Sequence, residues 1–346
     1  MKIAIINVQA PFLRGGAEVL ADSLYAKLVD CGHEVEQINV PFKWYPESSL
    51  LDGIMACRLM RLDAGEPDLV IALKFPAYLA SHPNKKVWLL HQFRQAYDLW
   101  GTPLGQLSNH AEGRTIRDLI THLDKNHLGS AKAIYTISRN VANRLRQFNS
   151  LEADGVLYPP LMNPELYYSA PPLDYFYYPS RLNVSKRQHI AIEAMRFVRS
   201  PFRLLIAGNS DDPVYENRLR HLIHHWGLQH KVKLLGRVSE KDKARQIAEA
   251  VGVLFLPFDE DYGYVTVEAF QSSKPVITFN DGGGTIELVE DRRNGRIVEP
   301  DAKALAEVME WMWTHREKNQ EMRHEARATI SRLGIDWPHV LERLVS

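Results

Sequence analysis

The stretch that decides the fold is Leu256-Pro257-Phe258-Asp259-Glu260-Asp261-Tyr262-Gly263-Tyr264-Val265-Thr266-Val267-Glu268-Ala269-Phe270. An apolar strand ends at Pro257, a loop carries Glu260, and Gly263 opens a helix. The first turn of such a helix presents free backbone N–H groups and a positive dipole end, which suit a phosphate. Glu268 stands one and a half turns inside the helix, where a carboxylate can accept from paired hydroxyls such as those of a ribose. Two glutamates at this separation arise by chance about once in a chain of ordinary composition, so the spacing alone carries little. The strand, loop and glycine-started helix around them carry the inference.

Outward from this stretch, short β-rich runs alternate with amphipathic helical runs along the whole chain, the pattern of parallel sheets covered by helices on both faces. In the first half strands are expected at Lys2 to Val8, Glu34 to Val40, Leu69 to Leu73, Val87 to His91 and Ala133 to Ile137. Helices are expected from about Ala17 to Val29 and from Asn140 to Phe148. Pro159-Pro160 and Pro171-Pro172 interrupt both periods, because proline lacks the backbone donor, and mark a linker. The alternation restarts with strands at Tyr175 to Tyr178, Phe202 to Ala207, Val232 to Leu235, Gly252 to Pro257 and Val276 to Phe279. Helices follow at Gln188 to Met195, from Asp301 toward Trp313, and over Ile335 to Val345. The expected architecture is α/β: two Rossmann-like, doubly wound domains facing each other across a cleft, with ligands outside the carboxyl ends of the strands. The boundaries are 1–165 plus 325–346 for the first domain and 166–324 for the second.

A chain of 346 residues exceeds what one core usually supports. Lys plus Arg equals Asp plus Glu, 42 against 42, so no global field draws the protein to nucleic acid. Cys31 and Cys57 form no metal-ligand or disulfide pattern and fit a reducing cytoplasm. No run approaches the roughly 20 apolar residues that span a bilayer.

Several other places carry chemistry. Arg14-Gly15-Gly16-Ala17-Glu18 follows the first strand and enters a helix, an arrangement suited to an anion, although it lacks the GxGxxG spacing of nicotinamide enzymes. His91 is placed at a strand end, able to contact a sugar hydroxyl or act as a base. Arg181 and Lys186 flank a helix start and could stabilise a departing diphosphate in place of a metal. Arg187, in the same run, is read as a cation without a role. Asp281-Gly282-Gly283-Gly284 makes a further glycine-rich turn after the strand at Val276.

These motifs, in this order, resemble the retaining glycosyltransferases of family 4, group 1, with the GT-B architecture. The GGxE-type loop, strand-end His, R-x4-K pair, E-x7-E segment and following PVI…GGxxE…NG run are all present. The resemblance implies a hexosyltransferase that moves a sugar from a nucleotide-diphosphate donor to a sugar, glycolipid or other small-molecule acceptor, with retention, without metal or other cofactor, and with domain closure over the donor. It implies catalytic roles for His91, Arg181, Lys186 and Glu260. Donor binding would fall to Gly15, Gly16, Arg181, Lys186, Arg237, Val238, Glu260, Gly263, Tyr264, Val265 and Glu268. Arg94, Tyr97 and Asp98 are expected on the acceptor side from their position just after His91, and the resemblance implies that the terminal segment around Trp337 packs on the first domain. The setting would be cytoplasmic, with peripheral contact at the inner membrane face. Asp261 and Tyr262 depart from the usual Gly and Phe of the EGFG form, and Gly208-Asn209-Ser210 lacks a second glycine.

Asp259-Glu260-Asp261 also satisfies a D-x-D metal pattern, and His221, His224, His225 and His230 invite a zinc reading. The loop context of the first and the lack of a partner carboxylate or cysteine set for the second favour neither. A nucleotide-sugar epimerase or a catalytically silent subunit of the same shape are the alternative functions.

Overall fold

The computed structural model describes residues 1–62, 67–210 and 212–346. They fold as two compact units, 1–162 with 337–346, and 163–336. These divisions replace the expected 165/166 and 324/325, and they leave only the last helix to return to the first unit.

The first unit contains β1 (Lys2–Gln9), α1 (Gly16–Asp30), β2 (Glu34–Pro41), α2 (Glu47–Leu59), β3 (Leu69–Ala72), β4 (Lys85–Leu89), α3 (Gly113–Gly129), β5 (Ala133–Thr136), α4 (Arg139–Arg144) and β6 (Gly155–Val156). Its strands form a parallel sheet in the order β2-β1-β3-β4-β5-β6. In β1, Ile3 to Val8 are buried without alternation, as a strand covered on both faces requires. The edge strand β2 buries only Val40 and carries the exposed Glu34 and Glu36, which discourage pairing with another chain.

The second unit contains β7 (Tyr175–Pro179), α5 (Gln188–Ala194), β8 (Arg203–Ala207), α6 (Pro213–His225), β9 (Val232–Gly236), α7 (Glu240–Glu249), β10 (Val253–Leu254), α8 (Tyr264–Gln271), β11 (Val276–Phe279), β12 (Gly295–Val298), α9 (Ala302–Thr314) and α10 (Arg316–Arg332). Its sheet is parallel in the order β12-β11-β10-β7-β8-β9. The chain then ends in α11 (Trp337–Val345).

The sequence placed β4 two residues late, because Lys85 and Lys86 look like surface residues. Both are buried, and Lys85 Nζ donates to the carbonyls of Tyr78, Ala80 and His127 at 2.7, 3.1 and 3.1 Å. His91 therefore lies in the loop beyond β4. β10 is shorter than expected because the Leu256 N–H turns to the Tyr178 hydroxyl, 3.1 Å away, instead of a neighbouring strand. The short edge strands β6 and β12 were not anticipated, having too few apolar residues to show a period. α11 docks through Trp337, whose indole N–H donates to the Leu161 carbonyl at 3.0 Å and whose ring meets the buried Trp88 edge-on at 6.2 Å.

Candidate functional site

Each sheet has one place where consecutive connections run in opposite directions, and there the loops part and leave a crevice at the strands' carboxyl ends. In the second unit it lies between β7 and β10. Arg181 and Lys186 follow β7, and Glu260 follows β10, so the topology alone brings the expected cations and acid together. The Lys186 ammonium forms an ion pair with the Glu260 carboxylate, and both side chains are partly buried. Arg181 is exposed beside them in the chain.

Several hydrogen bonds hold these two loops. Asn183 accepts from the Lys186 N–H at 3.1 Å and closes the turn over Val184–Lys186. The Phe258 N–H donates to the Ser185 carbonyl at 2.8 Å, joining the cation loop to the acid loop. The fully buried Tyr178 hydroxyl donates to the Lys186 carbonyl while accepting from Leu256. Arg187, read from sequence as having no role, is a brace. Its guanidinium donates to the carbonyls of Leu256 and Pro257 at 2.9 and 2.6 Å and to both oxygens of Asp281 at 2.8 and 2.6 Å. Such a bidentate pair fixes direction as well as distance.

The turn at Gly282 to Gly284 lies against the acid loop. Gly284 N–H donates to the Glu260 carbonyl at 2.7 Å and Asp259 N–H to the Asp281 carbonyl at 2.9 Å. At Gly283, with φ +61°, an added Cβ would stand 2.4 Å from the Glu260 carbonyl oxygen, so glycine is required for the approach. The same holds at Gly208, where a Cβ would fall 1.9 Å from the Ser180 carbonyl oxygen.

Gly263, with φ +110°, precedes α8, and Tyr264 and Val265 form its first turn. Glu268 is 8% exposed. Its Oε1 accepts from Lys243 Nζ at 2.8 Å. Oε2 is buried and lacks a partner at hydrogen-bonding geometry, although the Tyr167 hydroxyl acts on the carboxylate as a neighbouring donor. Burial raises the pKa of Glu268, and the Lys243 ammonium opposes that rise. Arg237 and Val238 follow β9, two strands from β7, with Arg237 exposed.

In the first unit the switch lies between β1 and β3. Gly15 and Gly16 follow β1, and Lys74 follows β3. Glu18 accepts from the Gly15 N–H and from Lys74 Nζ, both at 2.8 Å. Burial works against its charge, but Lys74 and the Gly15 amide outweigh it and hold the carboxyl below its ordinary range. The His91 loop pairs alongside: the Phe75 N–H donates to the His91 carbonyl at 3.4 Å, and His91 Nδ1 stands 2.8 Å from the Gln92 carbonyl. Tyr97, expected on the acceptor side, is instead buried. Its hydroxyl donates to Asp124 at 2.7 Å and accepts from Asn149 at 3.0 Å. Arg94 and Asp98 pair with each other at 2.6 Å.

Tyr178, Arg187, Lys243 and Asp281 were missed as functional supports. Only Arg187 carried a signal, its position directly after Lys186. Among the described residues no three His, Cys, Asp or Glu side chains gather as a metal-ligand set, and the His221 and His225 rings stack at 5.8 Å.

Residues 170–329 match the family model described as Glycosyl transferases group 1. The chain is 28% identical over 144 residues to human Alpha-1,3/1,6-mannosyltransferase ALG2, covering 38% of this chain and 34% of that protein. It is 25% identical over 162 residues to the D-rhamnosyltransferase WbpZ of Pseudomonas aeruginosa, covering 46% of this chain and 41% of that one. The match to mouse ALG2 covers 27% of that protein, so the chain spans about a third or less of the length of these mannosyltransferases. Sucrose-phosphate synthase of Thermosynechococcus elongatus superposes with a TM-score of 0.78 at 18% identity, over 99% of this chain and 96% of that one. HepE of Anabaena, solved in complex with UDP, gives 0.75 at 20% identity over 100% of both chains. The shared fold is the GT-B type, two Rossmann-like units in one chain, and the second unit is a group 1 glycosyl transferase domain.

Proposed function

We propose that this group 1 glycosyl transferase moves a hexose from a nucleoside diphosphate sugar to an acceptor hydroxyl, retaining the anomeric configuration and requiring no metal. The carrying observation is the Lys186–Glu260 ion pair at the switch point between β7 and β10, with the Gly263 start of α8 on the same loop. A diphosphate arriving there would take Lys186 from Glu260 and free that carboxylate for the sugar hydroxyls. Lys186, Arg181 and the N–H groups at Gly263, Tyr264 and Val265 would then stabilise the charge that grows on the diphosphate as the anomeric bond breaks. A diphosphate oxygen can take the acceptor's proton on the face it leaves, which gives retention. Glu268 would receive the ribose hydroxyls, and backbone groups near Arg237 and Val238 the base. Gly15, Gly16 and His91 are the first unit's own candidates for contact with a phosphate or sugar.

The named activities of the mannosyl- and rhamnosyltransferase relatives and the UDP bound by HepE support this reading. A thermal-shift panel of UDP, GDP, ADP, CDP and TDP tests it first, since a ligand at a hundred times its dissociation constant adds about 2.7 kcal/mol. No shift with any of them would overturn the proposal. Full turnover of the matching nucleotide sugar in chelator, with the product anomer assigned by NMR, tests metal independence and retention. No helix among the described residues is long and apolar enough to cross a membrane. The cytoplasmic setting with peripheral membrane contact stays part of this reading, tested by co-sedimentation with anionic vesicles.

A further inference from the structure

We infer that Lys243 is a positioning residue for the nucleotide ribose: from α7 it holds the Glu268 carboxylate ionised and fixed, so that it can accept from both ribose hydroxyls. The inference rests on the proposed ribose role of Glu268. Lys243 reaches across from a different helix, with Nζ 2.8 Å from Glu268 Oε1 and 2.7 Å from Glu240 Oε2. The side chains of Lys243 and Glu268 are 18% and 10% exposed. A carboxylate taken so far from water is costly unless a cation offsets the lost hydration. The other groups facing Glu268 do not supply one: Glu240 adds a like charge, while Tyr167, Tyr177 and Tyr264 are phenols held neutral by burial. A protonated Glu268 would offer a donor where a diol needs acceptors. Oε2, buried and short of a partner, is the acceptor capacity that a ribose hydroxyl would use.

The test measures dissociation constants of UDP, GDP and ADP, each with its 2′,3′-dideoxy counterpart, from about pH 6 to about pH 9. The wild type should prefer the ribonucleotide that binds by about tenfold or more, with a flat pH profile. Lys243→Met should lose most of that preference near neutral pH and recover it as pH rises and Glu268 ionises, while dideoxynucleotide binding stays unchanged. Lys243→Arg should behave as wild type. If Lys243→Met fails to fold, Lys243→Gln carries the same comparison. A neutral variant that keeps the ribose preference with a flat profile would overturn the inference, as would equal weakening of both nucleotide types. A wild type that does not distinguish the dideoxy compounds would instead remove Glu268 from the ribose site.

Discussion

At the scale of single residues, Lys186 and Glu260 are paired with each other before any ligand is considered. Because Lys186 would hold the diphosphate in the bound donor and more strongly as its charge grows, Lys186→Ala should raise donor KM and also lower turnover about a hundredfold or more. Steady-state kinetics with varied donor checks this, and near-wild-type turnover would remove the role. Glu260→Gln should separate binding from chemistry. It frees Lys186 and removes a negative charge beside the diphosphate, so a free nucleoside diphosphate should bind as well or better by calorimetry. Sugar transfer should fall, because the acceptor for the sugar hydroxyls is weakened. The charged residues of this pair were legible in the sequence, since polar side chains at strand ends have few other uses. Their pairing was not, because Lys186 and Glu260 are joined only when β7 and β10 lie side by side.

At the scale of elements, the loops are held by backbone approach and by buried braces rather than by their own conformational preference. Gly283→Ala would place a Cβ 2.4 Å from the Glu260 carbonyl in a left-handed backbone region, against an atom that cannot step aside cheaply. It should cost about 1–3 kcal/mol of stability and, by displacing Glu260, reduce turnover as well. Thermal unfolding and initial rates on the same preparation check both, and an unchanged rate would show that the turn does not position the acid. A glycine-rich turn was visible in the sequence, but its partner was not. Strand centres were readable because continuous burial demands continuous apolar residues, as in β1. β4 was misplaced because its buried lysines find carbonyl partners on other elements, which no local pattern announces.

At the scale of the molecule, the last helix belongs to the first unit while α10 before it belongs to the second. Trp337→Ala should lower the stability of the first unit by about 3–5 kcal/mol, the usual cost of deleting a large buried aromatic, read as an earlier midpoint in urea. Burial also pushes the Asp124 carboxyl up to about 7 from its ordinary 3.8. Because the folded state keeps a proton that the unfolded chain has released, the stability this group contributes is full below the lower value and is lost as pH rises to the upper one. Melting temperatures from about pH 5 to about pH 8 should therefore fall more steeply for the wild type than for Asp124→Asn. Parallel slopes would show that Asp124 is ionised throughout. By itself the sequence determined the two α/β units, the order of the motifs and the residue types of the site, because strand and helix periods and strand-end polar residues are local properties. Only the tertiary structure decided that β7 meets β10, that Arg187 is a brace, that Tyr97 is core and that Lys243 faces Glu268. Those contacts join residues far apart in the chain, and no local preference encodes them.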